Sequence, residues 1–79
     1  MKTWNTNYRG NEIRVENNVF SERLYINGKL HDEGRGEGSR SKLIGRLADG
    51  KLVKVSLGGI FRIRCTIFVE DELVMDYEP

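Results

Sequence analysis

One cysteine and one histidine among 79 residues limit the chemistry this chain can do. A metal centre needs several Cys, His or carboxylate groups converging on one point, and Cys65 and His31 stand far apart in the chain. Cys65 falls at an inward position of the most regular apolar alternation, which predicts a small buried hydrophobe rather than a reactive thiolate. A two-residue turn at Asn27-Gly28 would set His31 opposite Leu24, the position of a boundary histidine. Asp71, Glu72 and Asp76 lack the spacing of a calcium loop and predict a solvated hairpin tip. Gly34-Arg35-Gly36-Glu37-Gly38 has the glycine content of a phosphate cradle, but such cradles launch a helix, and Ser41–Leu47 reads as a strand. There is no Gly-x-Ser-x-Gly, His-Glu-x-x-His or Walker motif. No catalytic residue, metal ligand or cofactor site is therefore assigned, and the chain is expected to be neither an enzyme nor a cofactor carrier.

The elements that would position any site follow from a short rhythm. Apolar alternations are each closed by Asn27-Gly28, Asp49-Gly50 or Gly58-Gly59, where positive φ is cheap. The segments between are too short, and too rich in Val, Ile, Leu, Tyr and Phe at period two, to be helices. Eight strands are predicted: Thr3–Tyr8, Glu12–Asn17, Arg23–Asn27, Lys29–Asp32, Ser41–Leu47, Lys51–Leu57, Phe61–Val69 and Leu73–Tyr77. Residues 33–40 have no apolar anchor and three glycines, and are expected to form a flexible glycine-rich loop. No repeat of 20–50 residues is visible. The fold expected is a single all-β domain over 1–79, a small antiparallel β-sandwich or flattened barrel of tight hairpins.

Register is sharpest in the second half. Val53, Val55 and Leu57, and then Phe61, Ile63, Cys65, Ile67 and Val69, all occupy odd positions, so the two sets share a face only across an odd-length loop. A three-residue loop, Gly58–Ile60, would pair Val55 with Ile63 and Lys54 with Arg64. A three-residue loop at Glu70–Glu72 would pair Val69 with Leu73, Ile67 with Met75, Thr66 with Asp76 and Arg64 with Glu78. The predicted core is Trp4, Ile13, Val15, Leu24, Ile26, Leu43, Val53, Val55, Phe61, Ile63, Cys65, Ile67, Val69 and Met75.

Apolar residues form 38% of the chain and charged residues 32%, a lean core for so small a domain. No apolar stretch approaches the ~20 residues of a membrane span, and Met1-Lys2-Thr3-Trp4-Asn5 leads into no secretory segment. With one cysteine and no internal disulfide, a cytoplasmic location without membrane contact is expected. Charge is segregated. Residues 35–64 hold eight basic residues against two acidic ones, a net +6, whereas residues 65–79 hold five acidic residues and no basic one. Pairing of the acidic last strand with the basic middle strands accounts for much of this.

The runs Leu24-Tyr25-Ile26-Asn27-Gly28-Lys29, Lys42-Leu43-Ile44-Gly45, Gly59-Ile60-Phe61 and Ile67-Phe68-Val69 resemble the strand order of the Fas apoptosis inhibitory molecule β-sandwich. The resemblance spans roughly residues 23 to 76. The chain departs from that pattern at Asn27, where Asp is usual, in its glycine-rich segment after the first hairpin, and at Glu70-Asp71-Glu72 in place of a glycine turn. The resemblance implies a two-sheet antiparallel sandwich used for protein interaction without catalytic machinery, and no functional motif transfers residue by residue.

Two function classes follow. The first is a non-catalytic interaction module, binding an unknown protein or forming a weak homodimer. Its contact surface would carry Leu52, Phe68 and Val74, apolar side chains on the supposed solvent face. The alternative is a small β-barrel nucleic-acid binder, with Arg35, Arg40, Lys42, Arg46, Lys54, Arg62 and Arg64 on phosphates and Tyr25 or Phe68 as a stacking platform.

Overall fold

Reversing a chain every few residues requires backbone that side chains seldom adopt. The first hairpin turns at Arg9 and Gly10 (φ 48° and 83°) and the third at Asn27 and Gly28 (φ 51° and 80°). Both are left-handed two-residue turns whose twist matches that of the strands they join. A computed structural model describes residues 2–18, 20–35, 40–59 and 62–77, the side chains of Arg35 and Arg40 excepted. Eight antiparallel strands result: β1 (Lys2–Tyr8), β2 (Asn11–Asn17), β3 (Ser21–Ile26), β4 (Lys29–Arg35), β5 (Arg40–Arg46), β6 (Leu52–Gly58), β7 (Arg64–Val69) and β8 (Glu72–Tyr77). They form two four-stranded meanders, β1-β2-β3-β4 and β5-β6-β7-β8, in chain order. The protein is an all-β sandwich, with no helix among the described residues.

Period-two alternation fills the space between the sheets. Ile13, Val15, Leu24, Leu43, Val53, Cys65 and Ile67 are fully buried, joined by Trp4, Ile26, Val55 and Val69 as expected. Tyr8, Leu47 and Leu57 also belong to this core. Ile63 and Met75, predicted within it, are only partly buried at its margin. Phe61 lies outside the described residues. Glu22 is buried too, at 4% exposure; its Oε1 accepts from Asn17 Nδ2 at 3.5 Å, and its Oε2 has no hydrogen-bond partner among the described residues.

Four local expectations are corrected. The odd positions of β6 and β7 do meet, but as Val53–Val69, Val55–Ile67 and Leu57–Cys65. The connection therefore spans 59–63, and Lys54 lies opposite Phe68 rather than Arg64. The three-residue loop would have left Ile67 and Val69 facing Lys51 and Asp49, whereas the observed register gives each buried residue of β7 a buried partner. Next, β4 runs through Arg35 and β5 starts at Arg40, so Glu33–Arg35 and Arg40 are strand rather than loop. Gly34 sits opposite Glu22, and a Cβ there would lie 3.3 Å from Glu22 Oε2, so this glycine serves a close approach within the sheet. Residues 36–39 lie outside the described set. Third, a β-bulge makes His31 the extra residue of β4, so Asp32, not His31, faces Leu24. Finally, a bulge at Val74 turns the last hairpin on Glu70-Asp71, with Glu70 at φ 52°, and pairs Leu73 with Phe68. Thr66–Asp76 and Ile67–Met75 pair as expected. The two bulges occupy the same place in their hairpins, a repetition of architecture that the residue types do not display.

One corner joins the sheets. The N–H of Ile44 donates to Asp32 Oδ2 at 2.8 Å and that of Arg46 to His31 Nδ1 at 3.4 Å, so side chains of β4 satisfy the edge of β5. Gly45 lies between them. A Cβ at this position would meet Ile26 Cδ1 at 2.9 Å, His31 Cβ at 3.0 Å and Leu24 Cδ2 at 3.1 Å. The opposite seam, between β1 and β8, is bridged by Trp4 and Tyr77, with ring centroids 6.2 Å apart. Gly45→Ala is expected to destabilise the fold by about 1–3 kcal/mol, the usual cost of overpacking, through a lower urea midpoint at unchanged slope.

Candidate interaction face

Pleating sends the even-numbered side chains of β5, β6 and β7 outward, and the Val74 bulge puts Leu73 on the same side. The registers align these side chains into rows that cross all four strands of the second sheet. One row reads Ile44–Lys54–Phe68–Leu73, and its neighbour reads Lys42–Ser56–Thr66–Asp76. A third begins Arg46–Leu52 and ends at the Glu70-Asp71 turn, where Glu70 Oε2 accepts from the Leu52 N–H at 2.7 Å. Ile44 is 52% exposed, Leu73 50% and Phe68 36%. A shallow groove of about 300 Å³ lies on this face, with Lys42, Ile44, Lys54, Ser56 and Phe68 in its lining together with the acidic Glu70 and Asp71.

Charge on the face has a direction. Lys42, Lys54 and Arg46 lie on β5 and β6, while Asp76 and the acidic turn lie towards β8. Lys42 and Lys54 form no ion pair among the described residues. Arg64 donates through Nε and Nη2 to Asp76 at 3.1 and 3.0 Å, and Thr66 Oγ1 donates to the same carboxylate at 3.2 Å. The Arg64 guanidinium, followed by the Thr66 hydroxyl, holds the Asp76 carboxyl below its ordinary range. The predicted Lys54–Arg64 pairing does not form, because Lys54 faces Phe68 and Arg64 lies opposite Gly58; Glu78 lies outside the described residues.

The outer face of the first sheet is partly covered by its own side chains, with Leu30, opposite Tyr25, left 46% exposed. The Arg14 guanidinium sits 4.5 Å from the centroid of the Tyr25 ring, with Arg14 Nε 3.3 Å from Glu16. Arg23 pairs with Glu33 further along. Tyr25 is thus covered by a cation and sits on a different face from Phe68.

Of the three apolar residues singled out in the sequence, Phe68 lines the groove. Leu52 is half-buried and outside the groove's lining, and Val74, the bulge residue, is half-buried and packs against the core. Ile44 and Leu73 were missed. Leu43 within β5 and Leu47 just beyond it point inward, which leaves Ile44 outward between Lys42 and Arg46, a signal present in the alternation. Leu73 had no such signal, because a bulge set its face. Among the proposed anion contacts, Lys42 and Lys54 line the groove, Arg62 is exposed in the 59–63 connection, and Arg64 is held by Asp76. Arg35 and Arg40 end β4 and begin β5, and their side chains lie outside the described set. No group of three or more His, Cys, Asp and Glu that could hold a metal occurs among the described residues. No helix there is long and apolar enough to cross a membrane.

Compared with known proteins, the chain matches no protein family, no curated protein and no solved structure.

Cys65 is fully buried between the sheets, and burial pushes its thiol up to about 12, with a smaller contribution from Asp76. A thiol reagent at pH 8 is expected to label Cys65 only as the protein unfolds, at a rate that rises with denaturant. Because the folded thiol keeps a proton that the unfolded one loses above about pH 8.5, stability should fall as pH rises beyond that value. Rapid labelling of the native protein would show that the core is open there.

Proposed function

We propose that this chain is a non-catalytic protein-interaction module whose contact surface is the outer face of the second sheet, centred on Phe68. The observation that carries this reading is the set Ile44, Phe68 and Leu73, three exposed apolar side chains in one row of this face with a groove along it, whereas on the outer face of the first sheet Arg14 lies over Tyr25 and Leu30 is the one exposed large apolar side chain among the described strand residues. An uncovered apolar patch with a charged rim is the usual composition of a contact surface. The resemblance to the Fas apoptosis inhibitory molecule sandwich points the same way, to a fold that acts by contact, and a cytoplasmic setting suits a domain with one buried thiol.

Phe68→Glu tests it, because Phe68 lies on the far side of the sheet from the core. The variant is expected to keep its β-type circular dichroism and to lose more than tenfold in affinity for any partner, whereas Arg23→Glu on the other sheet leaves affinity unchanged. Equal loss in both variants, or none in Phe68→Glu, would overturn the assignment of this face.

Lys42 and Lys54 beside Phe68 sustain the second reading, a single-strand nucleic-acid surface with Phe68 as a stacking platform. Glu70 and Asp71 in the lining of the same groove, with Asp76 on the same face, weigh against it. Salt-sensitive binding of single-stranded DNA or RNA would favour that reading, and no binding at low salt would remove it.

A further inference from the structure

We propose that the partner of this face is a second copy of the same chain, docked about a two-fold axis that runs along the strands between β6 and β7. The inference rests on the contact-face reading above and names its occupant. Rotation about that axis lays β5 of one copy over β8 of the other, and β6 over β7. Each row then meets its own reverse. In the first row, Ile44 comes over Leu73 of the second copy and Lys54 over its Phe68, an apolar pair beside a cation on an aromatic ring. In the second row, Lys42 comes over Asp76, whose carboxylate retains room for a further donor beside Arg64 and Thr66. In the third, Arg46 comes over Asp71 in the acidic turn. Both partners of every pair are supplied twice, as an isologous interface requires.

The charge pattern selects this axis over the other in-plane choice. A two-fold perpendicular to the strands would lay β5 on β5 and β8 on β8, bringing Lys42 against Arg46 and Asp76 against the acidic turn. Facing like charges disfavour that arrangement. Stacked sheets normally cross at about 30°, a rotation that the long Lys and Arg side chains absorb. Four strands of about six residues cover roughly 400 Å² per copy, so the contact sits at the small, transient end of interfaces. A dimer that forms only at tens to hundreds of micromolar is expected, and it should weaken as salt screens the rim pairs.

Sedimentation equilibrium on the whole chain tests this through a charge exchange at two exposed positions, Arg46 and Asp71. The wild type is expected to show concentration-dependent dimerisation. Arg46→Glu and Asp71→Lys alone should each weaken it at least tenfold, because each homodimer then opposes like charges twice. An equimolar mixture of the two variants should recover the wild-type affinity, since one contact is native and the other is its reverse. A wild type that stays monomeric up to millimolar concentration would overturn self-docking, while leaving the contact-face reading to a heterologous complex lost on Phe68→Glu. A dimer broken by Phe68→Glu but not rescued by the mixture would overturn this two-fold and keep the face. A dimer indifferent to all three substitutions would overturn both.

Discussion

The backbone of β5 comes so close to the first sheet at Gly45 that a side chain there would force its neighbours to shift, and the packing of the two layers is built around that approach. Gly45 leaves room for Leu24, Ile26 and His31 to pack directly against the strand. On either side of it, the N–H groups of Ile44 and Arg46 reach Asp32 and His31. β4 and β5 are edges of different sheets, and the outward N–H groups of an edge strand have no ladder partner of their own. Side chains of β4 take the place of a ladder here. β4, which contributes no buried apolar residue among its described side chains, thus fastens the two layers together at this edge.

That closure follows from one inserted residue. A regular hairpin through Asn27-Gly28 would point His31 inward and Asp32 outward. With His31 as the bulge residue, Asp32 moves to the inward register and its carboxylate meets the Ile44 N–H. The second sheet repeats the device at Val74 with a different result. There the bulge carries Leu73 outward beside Phe68 and leaves Val74 against the core. The same irregularity builds a joint in one sheet and an exposed apolar pair in the other.

Those two outcomes give the sandwich unequal faces. On the first sheet, Arg14 lies over Tyr25 and Arg23 pairs with Glu33, so cations and carboxylates alternate among neighbours on the same sheet. On the second, cations gather on β5 and β6 and carboxylates towards β8, and the row that carries Ile44, Phe68 and Leu73 runs from one side to the other. The charge segregation visible along the chain is only partly discharged within the sheet, through Arg64 and Asp76. Lys42, Lys54 and Arg46 keep their charge on the open face, which makes the surface directional.

Alternation at period two and the Asn-Gly turn chemistry determined the all-β class, the number of strands and most of the core, because facing odd positions must share a side whatever the loop between them. The same parity placed Cys65 inward and made Phe68 outward, so the centre of the candidate face was legible from the residues alone. Tertiary structure decided the rest. The β6–β7 register depended on giving Ile67 and Val69 apolar partners, a choice between loops of equal parity that local sequence does not distinguish. Glu33–Arg35 became strand because Gly34 admits the buried Glu22 beside it, although its composition is that of a loop. The bulges at His31 and Val74, and with them the joint at Asp32 and the outward turn of Leu73, answer to the packing of one sheet on the other. A bulge shifts a strand by one residue and exchanges its faces, and only contacts between distant segments determine where that exchange is stable.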